Sequence, residues 1–120
     1  MKKNVLIVDD QKGIRFLLEE IIRHEGHDAR SCADGLEAIS EIEKDVPNLL
    51  IIDYQLPFKN GIAVVEYLEK NGYVIPTILM SGLNENLKIK GKPFEMIKAY
   101  FSKPFDIIEA RKTINQILAN

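Results

Sequence analysis

Asn4-Val5-Leu6-Ile7-Val8-Asp9-Asp10 decides how this chain folds, because an unbroken apolar run empties directly into two carboxylates. Continuous rather than alternating apolar residues mark a strand buried on both faces, the habit of a parallel sheet. Two other runs share the form: Leu49-Leu50-Ile51-Ile52 leads into Asp53, and Ala99-Tyr100-Phe101 leads through Ser102 to Lys103-Pro104. The charges therefore stand where strands end. In an open parallel sheet the crevice outside the carboxyl ends of the strands is where ligands bind. Three carboxylates and one ammonium gathered there suit a divalent cation and phosphoryl chemistry.

Outward from these runs, strands alternate with helices. Ile14, Leu17, Leu18, Ile21 and Ile22 recur at helical spacing until Gly26 closes the helix, and His27 to Cys32 reads as extended. Asp34 caps a second helix carrying Leu36, Ile39 and Ile42 inward, which Pro47 ends. Asn60-Gly61 opens a third with Ile62, Val65 and Leu68 inward, Asn71-Gly72 stops it, and Ile75 to Met80 is the fourth strand. Asp106 caps the last helix, striped by Ile107, Ala110, Ile114, Ile117 and Leu118. The expectation is a doubly wound (βα)5 α/β fold with a parallel five-stranded sheet. Between the fourth and fifth strands, Gly91 and Pro93 fall where a helix should run, so residues 84–93 are expected to form a short or irregular one.

Composition narrows the classes. The 120 residues, 46% hydrophobic and 28% charged, fit one globular domain over 1–120 with no output domain. A net charge of -2 offers no basic face for nucleic acid or an anionic membrane. The single Cys32 makes no internal disulfide, no Cys/His cluster has zinc spacing, and the few residues before Asp9-Asp10 are too short for a membrane span. A cytoplasmic protein is expected.

Asp9-Asp10, Asp53, Ser81 and Lys103-Pro104 fall in the order and spacing of the signature positions of bacterial response-regulator receiver domains, which the chain resembles over its whole length. Within that family, the stretches from Ile7 to Arg15 and from Lys103 to Ile107 are similar to stand-alone members that act as phosphorelay intermediates in spore-forming bacteria. The resemblance implies a flavodoxin-like strand order 2-1-3-4-5 and phosphorylation of Asp53. It also implies a histidine kinase, a histidine phosphotransferase and an aspartyl-phosphate phosphatase as partners. Two departures stand out: Asn60 precedes Gly61 where the family usually has Asp, and the Gly-Ala lead into the fifth strand is missing.

The chemistry also follows from the residues. Like charges ~4 Å apart repel by ~4 kcal/mol at an effective dielectric near 20, so clustered carboxylates take up protons or a cation. Magnesium fits oxygen donors, and manganese or calcium could substitute. Asp10 and Asp53 are the expected direct ligands, with Asp9 acting largely through water; the resemblance adds the backbone carbonyl of Gln55. Asp53 is the nucleophile, Lys103 neutralises phosphoryl oxygens, and the Ser81 hydroxyl could bond one of them. Each residue alone has a plainer role: Asp9 or Asp10 as a helix cap, Ser81 as a turn cap, Lys103 as a solvated side chain. Tyr100 reads equally as a core aromatic or, by the resemblance, as a rotating switch working with Ser81. A haloacid-dehalogenase phosphatase is disfavoured, since it needs Asp where Gln55 stands.

Partner docking is expected over Gln11, Lys12 and Gly13 and, by the resemblance, on Ile14 and Leu17, with Pro104 and Phe105 beside them. Phe16 lies outside the helix's apolar stripe, so part of that helix should stay exposed. The function expected is relay of a phosphoryl group; the alternative is a chemotaxis-type module that binds an effector when phosphorylated.

Overall fold

A computed structural model describes residues 2–82 and 94–119 of the chain. The elements run β1 (Asn4–Val8), α1 (Lys12–His24), β2 (Asp28–Cys32), α2 (Gly35–Lys44), β3 (Leu49–Asp53), α3 (Gly61–Lys70), β4 (Thr77–Ser81), β5 (Ile97–Ser102) and α4 (Ile107–Ala119). The sheet is parallel throughout, in the order β2-β1-β3-β4-β5. The expected irregular helix over 84–93 lies outside the described residues.

Alternation along the central strands divides the core in two. Leu6, Val8, Leu50, Ile52 and Leu79 pack with Ala38, Ile39 and Ile42 of α2 and Val64, Val65 and Leu68 of α3. Val5, Ile7, Leu49, Ile51, Ile78 and Met80 point the other way, onto Leu18, Ile21 and Ile22 of α1 and Ala110, Ile114 and Leu118 of α4. Truncating a fully buried member such as Ile51 to Ala should cost about 2–5 kcal/mol.

Local chemistry sets the helix ends. Gly26 and Gly72 adopt φ of 87° and 84°. Beside them, His27 N–H returns to the Ile22 carbonyl and Tyr73 N–H to that of Leu68, the Schellman closure that glycine permits. Asp34 and Asn60 cap α2 and α3 by accepting from Glu37 N–H and Ala63 N–H, each at 2.8 Å.

Some expectations are corrected. β2 starts at Asp28, because His27 N–H is used to close α1. β4 starts at Thr77, because Pro76 has no N–H to give a ladder. Leu36 is 55% exposed rather than inward: the buried positions of α2 are Gly35, Ala38, Ile39 and Ile42, and Leu36 lies off that stripe. Ile107 lies on the stripe of α4 by angle but is its first residue, with no preceding turn to shield it, and is 44% exposed.

Candidate functional site

Register brings the charges together. Val8 pairs with Ile52 and Asp53 with Met80, so Asp9 and Asp53 leave neighbouring strands at one level. Ser81, at the end of β4, accepts Lys103 N–H on its carbonyl at 2.8 Å, which brings the chain after β5 to the same edge. Ser81 itself is buried.

Asp9 is fully buried and firmly held by hydrogen bonds. Its Oδ1 accepts from Gln11 N–H at 2.8 Å, its carbonyl from the Arg15 guanidinium at 2.8 Å, and its Oδ2 from Lys103 Nζ at 2.7 Å. Neither aspartate is the N-cap of α1; that position is Gln11, which makes no side-chain cap bond. The Lys103 ammonium also reaches Asp53 Oδ2 at 3.2 Å and Gln11 Oε1 at 3.3 Å. Asp10 is exposed, yet one carboxylate oxygen from each of Asp9, Asp10 and Asp53 lies within 4.8 Å of the others.

The balance of charge is negative. Burial, then the neighbouring Asp9 carboxylate, pushes the Asp53 carboxyl up to about 6, with Lys103 opposing. Burial alone would lower the Lys103 ammonium, but its hydrogen bond to Asp9 and the charges of Asp53 and Asp9 outweigh it and leave it raised. One ammonium does not neutralise three carboxylates. Hard oxygen donors with unspent negative charge fit a divalent cation such as magnesium.

A cavity of about 410 Å³ opens beside this cluster, lined by Asp10, Tyr54, Gln55, Leu56, Pro57 and Asn60. Tyr100 is 37% exposed on β5, so it is not a core aromatic. Gln11, Lys12, Gly13 and Pro104 are exposed, and Ile14, Leu17 and Phe105 are half-buried against the α1 and α4 core. Phe16 is 63% exposed, as expected of a residue off the stripe. Sequence reasoning missed Gln11 as an acceptor for Lys103 and Arg15 as the clamp on Asp9. It also missed the close approach of Gly35 and Gly61 to the loop after β3. Only the Asp34-Gly35 and Asn60-Gly61 pairs hinted at the last.

The fold and the acidic strand ends define a class. The chain belongs to the family described as the response regulator receiver domain, which matches residues 5–115. Among individual relatives, it is 34% identical over 118 residues to sporulation initiation phosphotransferase F of Bacillus subtilis, covering 98% of this chain and 95% of that protein. It is 30% identical to the alkaline phosphatase synthesis transcriptional regulatory protein PhoP of Bacillus subtilis, covering 98% of this chain but 49% of that protein. The receiver domain of the Francisella response regulator 1452 superposes with a TM-score of 0.85 at 27% identity, covering 98% of this chain and 97% of that one. Among the described residues, no helix is long and apolar enough to cross a membrane.

Proposed function

We propose that the chain takes a phosphoryl group from the phosphohistidine of a histidine kinase onto Asp53 and passes it to a histidine phosphotransferase, as a cytoplasmic relay intermediate of the sporulation type. The observation that carries this is the Lys103 ammonium shared between Asp9 and Asp53 at 2.7 and 3.2 Å, inside a cluster that remains acidic. The match along nearly all of sporulation initiation phosphotransferase F supports the relay over other receiver roles.

With a carboxyl at about 6, Asp53 is mostly ionised at neutral pH and needs no general base. One of its oxygens bonds to phosphorus as the phosphorus–nitrogen bond breaks; the imidazole nitrogen keeps the electron pair and takes a proton from water. Once Asp53 carries the phosphoryl group as an acyl phosphate, the negative charge sits on the phosphoryl oxygens, and the Lys103 Nζ that faced the carboxylate turns to them. Ser81, at the end of β4, offers its hydroxyl to one of them, with Tyr100 following as the switch. Asp10, Asp53 and the Gln55 carbonyl, with Asp9 through water, would hold magnesium, which supplies neutralisation of the phosphoryl oxygens when bound. Transfer onward is the same step reversed toward a second histidine. Docking of either partner uses Gln11, Lys12, Gly13, Ile14, Leu17, Pro104 and Phe105.

A second reading, effector binding by the phosphorylated chain, is favoured by a cavity of about 320 Å³ between β5 and α4 with Tyr100 and Phe105 in its walls. Incubation with a phosphorylated histidine phosphotransferase, followed in both directions, separates the two. Reversible transfer supports the relay; one-way loss to water with phosphorylation-dependent effector binding supports the second. A parent chain that takes no label, or an Asp53→Asn variant that takes as much, would remove the acceptor assignment.

A further inference from the structure

The loop between β3 and α3 is bent into a costly shape, and the contacts that keep it there involve α2. Phe58 has φ of 68°, the left-handed region that a non-glycine residue rarely enters. Lys59 N–H donates to the Pro57 carbonyl at 2.7 Å across it, closing a γ-turn of the rare hand. Phe58 is 82% exposed, so burial does not offset the strain. Such conformations cost of order 1–3 kcal/mol and persist only where surroundings over-determine them.

Two glycines provide that over-determination. A Cβ on Gly35, the first residue of α2, would stand 2.1 Å from the Lys59 carbonyl oxygen and 2.9 Å from its carbon. Gly35 N–H also points to the Pro57 carbonyl at 3.5 Å. On the far side a Cβ on Gly61 would stand 2.4 Å from the Asp53 carbonyl oxygen, and Gly61 N–H donates to the Tyr54 carbonyl at 2.8 Å. The first turn of α2 is firm: Asp34 accepts from Glu37 N–H, the Glu37 carboxylate accepts from Ala33 N–H, and Ala38, Ile39 and Ile42 are buried. The loop so wedged carries Gln55 and Pro57 into the cavity they share with Asp10.

We propose that Gly35 is a positioning residue for the cation site: the bare Cα at the start of α2 sets how close the Gln55 segment sits to Asp10, without touching any carboxylate. The inference rests on reading the acidic cluster as a magnesium site. In Gly35→Ala the methyl and the Lys59 carbonyl must part by roughly an ångström. The strained, solvent-exposed loop yields before a helix anchored in the core does. In Phe58→Gly the turn loses its strain while both wedges remain.

The test is a magnesium titration followed by amide NMR shifts, on chain shown folded by a thermal melt in chelator. Gly35→Ala should weaken magnesium binding by about tenfold, as loss of supporting contacts around a metal typically does. Phe58→Gly should bind within about twofold of the parent, and adding it to Gly35→Ala should restore most of the loss, because glycine lets the apex absorb the displacement. Folded Gly35→Ala with parent affinity would overturn the proposal, as would a double variant no better than the single. If Gly35→Ala alone does not fold, the double variant must bind more weakly than Phe58→Gly; equal affinity, or failure of both to fold, assigns Gly35 to the fold instead. Asp10→Ala keeps the underlying reading separate: if it binds magnesium like the parent, the ligand assignment has failed, not the role of Gly35.

Discussion

Arg30 on β2 and Lys103 after β5 are both cations set between two carboxylates, yet they build opposite things. The Arg30 guanidinium donates to the Glu41 carboxylate at 3.0 Å and carbonyl at 3.3 Å and to the Asp45 carbonyl, with the Asp45 carboxylate 3.9 Å away. It ties the last turn of α2 to the edge strand, its bonds divide between charges and carbonyls, and the Asp45 side chain is 70% exposed. Lys103 meets a fully buried Asp9, a nearly buried Asp53 and a third carboxylate nearby, so negative charge is left over. A cation whose partners are half carbonyl and half solvated acts as a brace. One that is outnumbered by buried carboxylates marks a place where chemistry is to happen, since buried like charges are costly unless something else is to join them.

The sharpest way to break this contrast is to delete each cation and read phosphorylation by a small donor such as acetyl phosphate. Lys103→Ala should slow labelling by about 10²–10³-fold, the usual loss when a preorganised charge on the reacting oxygens is removed. Arg30→Ala should leave the rate within about twofold of the parent. Equal losses would mean that both cations serve only the fold.

Stability should separate the brace from the acidic site as well. Arg30→Ala removes several hydrogen bonds to charged and carbonyl oxygens and should cost about 1–2 kcal/mol. Asp53→Asn, melted in chelator at about pH 7.5, should instead gain about 1–2 kcal/mol, roughly 4–8 °C, because the amide escapes the desolvation and repulsion that lift the carboxyl. The pH dependence carries the sign. With the folded carboxyl at about 6 against an ordinary 3.8, both states are protonated in stronger acid and nothing is lost. As pH rises from 3.8 the unfolded chain ionises first, so parent stability falls until the folded carboxyl has ionised above about 6. The advantage of Asp53→Asn should therefore vanish below about pH 4 and be complete by about pH 7. An advantage independent of pH would show that it arises from packing and not from charge.

The brace and the site differ in how far the chain itself reveals them. Strand ends, caps and stops are local: Asp34, Asn60, Gly26 and Gly72 each act within a few residues, and the apolar runs before Asp9 and Asp53 state their burial directly. The parallel sheet and its acidic edge were legible for that reason. Contacts distant in sequence were not. The Gln11 amide on Lys103 spans 92 positions, and the clearance at Gly35 depends on a loop carbonyl at Lys59. Nothing in Pro57-Phe58-Lys59 requires a left-handed phenylalanine; only the wedge between two glycines does. Leu36 misled because an apolar residue beside a helix start was counted into a stripe that the buried positions of α2 exclude.

The smallest expected effect lies inside the brace. Glu41 and Asp45 both face Arg30, but by different means: Glu41 through its carboxylate at 3.0 Å, Asp45 chiefly through its backbone carbonyl, with its carboxylate at 3.9 Å. A side-chain change at Asp45 leaves that carbonyl in place and removes only a solvated charge at the edge of contact. Asp45→Asn should thus shift stability by no more than about 0.3 kcal/mol, as exposed pairs do, while Glu41→Gln should lose roughly 0.5–1 kcal/mol of charge-assisted bonding. Urea unfolding at low salt and again near about 0.5 M salt checks the assignment, since screening should shrink whatever Asp45 contributes and leave most of the shorter Glu41 contact. If Asp45→Asn costs as much as Glu41→Gln and both costs fade with salt, the brace is held by long-range charge, and its contrast with Lys103 becomes one of burial alone.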